Sequence, residues 1–144
     1  MINFLAAITW FFPKKEYLAR FADNESAKKA ATRLWNAIDS GDIILVIVML
    51  LLTLAICWWY FFPFNNKPGR HYHPKYWVLW GLVALVIVFA ASYFVCNMIA
   101  KNPGFDVGFL FKVSALNTFY AFVVYLFVSW TINRTGKSNA YPFI

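Results

Sequence analysis

The chain has 144 residues, 62% of them hydrophobic and 22% aromatic, with a mean hydropathy of +0.58 and a formal charge of +7. That length leaves room for one small domain, and a small water-soluble domain could not bury so much apolar surface, so the soluble globular class is excluded. The thirteen Lys and Arg are spread through the segments that abut apolar runs, a placement that points to anionic lipid headgroups rather than to nucleic acid.

Residues 1–12, MINFLAAITWFF, are apolar, end at Pro13 and are followed by Lys14 and Lys15. As a helix this segment reaches only ~18 Å, too short to cross a bilayer. It also lacks the basic n-region and small-residue cleavage pattern of a signal peptide. It reads as an interfacial or re-entrant segment with Trp10, Phe11 and Phe12 at headgroup level, or as a segment packed on a neighbouring subunit.

Asp23, Asn24 and Ser26 then offer N-cap side chains for an amphipathic segment, SAKKAATRLWNAIDSG. Ala27, Ala31, Leu34, Trp35 and Ile38 share one helical face, with Lys28, Lys29, Thr32, Asn36 and Asp39 opposite. Gly41 is the expected breaker at its end. A short cationic helix carrying a Trp suits the membrane interface; docking of its apolar face on another protein is the alternative. Residues 1–42 are thus expected to form an N-terminal interfacial and amphipathic helical segment.

Residues 43–62, IILVIVMLLLTLAICWWYFF, contain no charged side chain. A helix of that length spans ~30 Å, the thickness of a bilayer's hydrocarbon core. The run closes with Trp58, Trp59, Tyr60, Phe61 and Phe62 ahead of Pro63, an aromatic belt at the water interface. The loop that follows holds Lys67, Arg70, His71, His73 and Lys75 and no acid. Those five residues are the candidate lipid or partner contact. His71 and His73 could share a metal only with further ligands, which the neighbouring sequence does not offer.

A second span, about 76–100, opens with its own belt of Tyr76, Trp77 and Trp80, on the same side as the first, as a helical hairpin requires. Lys101, Asn102, Pro103 and Gly104 make a turn. The third span runs from about 109 to 132, uncharged from 113 onward, with Lys112 placed to snorkel and Trp130 at the far interface. Residues 133–144 form a short polar tail. Cys57 and Cys96 fall near the C-terminal ends of successive antiparallel spans, so they are expected at opposite depths, unbridged.

The side chains at membrane depth bear on function by what they lack. Ionisable groups there mark proton relays, voltage sensors or buried cofactors, and the three apolar cores contain no Asp, Glu, His, Lys or Arg. No catalytic residue, cofactor, metal or small-molecule substrate is therefore nominated. A haem-binding anchor subunit, for one, would want a histidine inside a span.

Small residues carry the remaining signal. Gly81, Ala84, Val88, Ala91 and Val95 follow a heptad-like 3,4 spacing with Ser92 flanking, and Ser114, Asn117, Ala121, Val124, Val128 and Thr131 do the same in the third span. In lipid, small residues let backbones approach, and Ser, Thr and Asn hydrogen-bond across the contact. These two stripes are expected to pack on each other or on a partner, with Asn97 and Asn117 as the foremost polar contacts; a pore lining for the third-span stripe is the alternative.

The expected fold is therefore all-α, three transmembrane helices preceded by one or two interfacial or amphipathic helices. The expected function is a non-catalytic subunit that anchors, scaffolds or seals a larger membrane complex, with the bilayer and other membrane subunits as partners. The alternative is a small oligomeric pore former: the number of spans, the length and the basic tail resemble phage holins in general plan, a likeness of hydropathy that departs in the long N-terminal segment. Basic residues divide evenly, Lys28, Lys29, Arg33, Lys101 and Lys112 against Lys67, Arg70, Lys75, Arg134 and Lys137. The six basic residues among 1–42 favour a cytoplasmic N-terminus.

Overall fold

The computed structural model describes residues 12–65, 74–100 and 103–135, the side chains of 103, 133 and 135 excepted. Among these the chain is all helical. A short helix α1 (Lys14–Ala19) leads into α2 (Glu25–Trp59), then α3 (Pro74–Ile99), a 3-10 turn (Pro103–Phe105) and α4 (Val107–Thr135). Three of these helices are long and apolar enough to cross a membrane, and each packs against the other two. The chain is an integral membrane protein.

Helix α2 begins where its cap allows. Asn24 is extended, and its Oδ1 accepts from the backbone N–H of Ser26 at 3.0 Å and of Ala27 at 3.1 Å, satisfying two of the orphan donors of the first turn. From there it runs unbroken for 35 residues, ~52 Å at the helical rise and far longer than the hydrocarbon core alone. Gly41 does not end it. A Cβ at that position would stand 2.6 Å from Cδ1 of Ile99, so this glycine lets α3 approach α2 closely. The amphipathic segment and the first span are one rod.

The apolar face of that leading half is buried within the chain itself. Ala31, Leu34, Trp35 and Ile38 join Tyr17 of α1, Cys96 and Ala100 at the end of α3, and Phe109, Leu110 and Val113 of α4 in one cluster. Phe12 and α1 fold back over it: the Trp35 indole N–H donates to the Phe12 carbonyl at 3.4 Å, and Lys14 donates to Asn36 Oδ1 at 2.7 Å with its ammonium 4.8 Å from the Trp35 ring centre. Neither lipid nor a partner is needed to cover that face.

At its other end α2 widens into a π-turn over Tyr60–Phe64 that contains Pro63. Proline has no N–H to continue the ladder, and just past it the Asn65 side chain donates to the Tyr60 carbonyl. Phe64 is thereby swung against Tyr76 and Trp80 of α3, with both pairs of ring centroids 5.4 Å apart. The belts of the first two spans meet as one aromatic cluster with Tyr60, Phe61, Trp77 and Tyr125.

Between these two ends the buried positions advance by fours. They include Leu45, Met49, Thr53 and Cys57 in α2 with Phe61 in the π-turn beyond it, and Ala84, Val88, Ser92 and Cys96 in α3 with Ala100 just past its end. In α4 the row is Phe109, Val113, Asn117, Ala121, Tyr125 and Ser129, with Leu110 and Ser114 buried on a second row beside it. The sequence spacing led to an expectation of threes and fours. A four-residue row winds about 40° around the helix with each step and is the row that interdigitates in right-handed helix crossings. Cys57 and Cys96 are free, buried and in opposite end clusters.

Candidate functional site

At mid-bundle one side chain links the three long helices. The Asn117 amide of α4 donates to Ser92 Oγ of α3 at 2.7 Å and to the Leu45 carbonyl of α2 at 3.2 Å. Ser92 is fully buried and Asn117 is 7% exposed. An amide N–H left unpaired in hydrocarbon costs several kcal/mol, so this node favours one register of the bundle over its alternatives. One turn earlier in α4, buried Ser114 donates to the Leu110 carbonyl at 2.8 Å and faces Cys96 Sγ at 4.0 Å.

A second network closes the aromatic end. Tyr125 Oη donates to the Trp77 carbonyl at 2.9 Å, the Trp77 indole N–H donates to Ser129 Oγ at 3.0 Å, and Ser129 in turn donates to the Tyr125 carbonyl at 2.8 Å. The loop of bonds staples α3 to α4 with no charged group. Gly81 makes room for it, since a Cβ there would stand 3.2 Å from Cε1 of Tyr125. Tyr125 and Ser129 were absent from the sequence stripe because a 3,4 spacing steps from Ala121 to Val124 and Val128. A four-residue step from Asn117 reaches both.

The other stripe residues fall in three environments. Ala84, Val88, Ser114 and Ala121 are buried between the helices. Ala91 and Asn97 are half-buried, and Asn97 donates to the Tyr93 carbonyl of its own helix at 2.7 Å rather than across the contact. Thr131 is exposed and donates to Phe127 O at 2.8 Å, again within its own helix. Of the loop residues, Lys67, Arg70, His71 and His73 lie outside the described residues. Lys75 is exposed on the first turn of α3, its ammonium 5.2 Å from the Tyr76 ring centre.

At the end opposite the aromatic cluster, Asp106 organises the entry to α4. Its Oδ1 caps the Phe109 N–H at 2.9 Å, and its Oδ2 lies 3.9 Å from Arg20, which also sits 5.0 Å from the Tyr17 ring centre. The Arg20 side chain is half exposed, so this pair orients more than it stabilises. Burial, and after it the negative charge of Asp106, raises the Tyr17 phenol well above its ordinary range. Among the described residues no three His, Cys, Asp or Glu gather as a metal site.

Beside the central amide, a groove of about 250 Å³ opens between α2 and α4, walled by Leu45, Met49, Val113 and Val124 with Asp42, Asn117 and Tyr120 as polar members. No protein-family model, curated protein or solved structure matches the chain.

Proposed function

We propose that this chain is a non-catalytic integral membrane subunit that anchors, scaffolds or seals a larger membrane complex. The observation that carries the reading is the direction of its polar groups. Ser92, Ser114, Asn117 and Ser129 are all buried on the chain's own helices. A homo-oligomeric pore needs such groups turned outward, where several copies could line water with them.

Thr131 apart, what the spans turn outward is chiefly apolar. Only 28%, 22% and 33% of the three most hydropathic windows are buried within the chain, so most of each span is left for lipid or for neighbouring helices. Leu51, Val86, Phe94, Met98 and Phe127 are each more than 60% exposed. Large apolar residues around a small, internally hydrogen-bonded core suit a piece that other membrane helices pack against. At the far end Arg134 stacks over Trp130, 4.4 Å from the ring centre, an interfacial anchor of the kind that sets a span's depth.

Gentle detergent extraction followed by native mass measurement tests the proposal: discrete co-purifying membrane subunits are expected, and a stable lone monomer overturns it. A potential-sensitive dye during high-level expression separates the rival. Membrane potential is expected to hold, whereas its collapse would favour the pore former.

A further inference from the structure

The groove between α2 and α4 holds a group that the subunit reading leaves unused. Asp42 is 4% exposed and lines it, yet among the described residues its carboxylate makes no ion pair or hydrogen bond. Burial, and after it the negative charge of Asp39 less than one turn earlier on the same helix, raises the Asp42 carboxyl above its ordinary range. A buried carboxylate is costly unless something pairs with it. Its position suggests what: Asp42 immediately precedes the uncharged run at Ile43, hence at headgroup level, and the groove continues from it along Leu45 and Met49 into the apolar span.

We infer that this groove binds a membrane lipid whose headgroup carries a primary ammonium, the ammonium on the Asp42 carboxylate and part of one acyl chain against Leu45, Met49, Val113 and Val124. The charge is complementary and the apolar walls match a hydrocarbon chain. Its volume of about 250 Å³ is close to the ~300 Å³ lower end of small-ligand pockets and so takes a chain segment rather than a whole lipid. Access is lateral, because the lining residue Val123 is 47% exposed on the outer side of α4. Lys112 is exposed one turn before the lining residue Leu116 on the same face of α4, where it can meet the lipid phosphate. The site is independent of whatever larger assembly the chain joins.

Photo-crosslinking of the purified full chain in phosphatidylcholine nanodiscs tests it. The probes are phosphatidylethanolamine and phosphatidylglycerol bearing the same diazirine acyl chain, with crosslinks mapped by peptide mass spectrometry. The ethanolamine probe is expected to label segments 45–50 and 113–124 roughly tenfold more than the glycerol probe, the gain of one charge-assisted hydrogen bond. Asp42→Asn should bring the two probes to parity, and Asp39→Asn should leave the preference in place. Parity in the native chain, a preference that survives Asp42→Asn, or labelling confined to other segments overturns the inference. So does a purified dimer whose groove excludes both probes, which would assign the groove to a second copy. Should Asp42→Asn lose its helix content, Met49→Trp decides: filling the groove must abolish ethanolamine labelling there, and retained labelling overturns the site.

Discussion

The two halves of α2 are one continuous helix placed in two solvents. Before Asp42 the outward side chains are Lys28, Lys29, Arg33, Asn36 and Ser40; after it they are Ile43, Ile44, Ile47, Leu51 and Leu54. The inward face barely changes character, from Ala31, Leu34 and Ile38 to Leu45, Met49 and Cys57. The outer surface thus records where water gives way to lipid, while the inner surface records only what the bundle packs against. Backbone continuity is blind to that boundary because helical hydrogen bonds close within the segment in either solvent.

Breaking the rod should show the largest effect. Ser40→Pro removes the N–H that bonds to the Asn36 carbonyl and clashes with it, at a cost of ~3 kcal/mol or more. Unfolding in detergent should register that loss; an unchanged midpoint would mean that the two halves act as separate helices. Next, Leu51→Lys places a charge near mid-membrane at ~2.5–3.5 kcal/mol on insertion scales, whereas Ser40→Lys, on the water-facing half, should stay within about 0.5 kcal/mol. Membrane-insertion efficiency of the pair reads the contrast directly, and equal behaviour would erase the boundary at Asp42.

A smaller effect is expected from the node that ties the second half to its neighbours. Asn117→Leu removes the bonds to Ser92 and to the Leu45 carbonyl, for about 1 kcal/mol per bond in model systems. Ser92→Ala combined with it should cost less than the two single changes added, which a double-mutant cycle in unfolding free energy measures. The smallest effect belongs to the first half. The raised Tyr17 phenol favours its neutral form in the folded state, so its contribution is complete below the ordinary value of 10.0 and declines as pH rises past it. Melting temperature should therefore fall less steeply above pH 10 in Tyr17→Phe than in the native chain; parallel curves would exclude this residue as the source.

The spans, their number, the amphipathic lead-in and the Asn24 cap were legible in the sequence, because each depends on local composition: apolar run length, a helical period, a short polar side chain ahead of a first turn. The aromatic ends were legible for the same reason. The course of α2 through Gly41 was not. A glycine after a polar stretch has the composition of a stop signal, and only the nearness of Ile99 makes it a contact point. Nor was the line of fours through Tyr125 and Ser129, since small residues lie on adjacent rows of α4 and a sequence gives no preference between them.

Alone, the residue order decided that hydrocarbon must surround this chain, since water cannot solvate its three greasy segments. Which side of each helix faces inward, that Asn117 meets Ser92 rather than lipid, and that Asp42 ends up shielded beside a groove were left to the packing of all three helices. Those outcomes turn on a rotation of a few tens of degrees about each helix axis, and hydropathy along one strand of text carries no information about that angle.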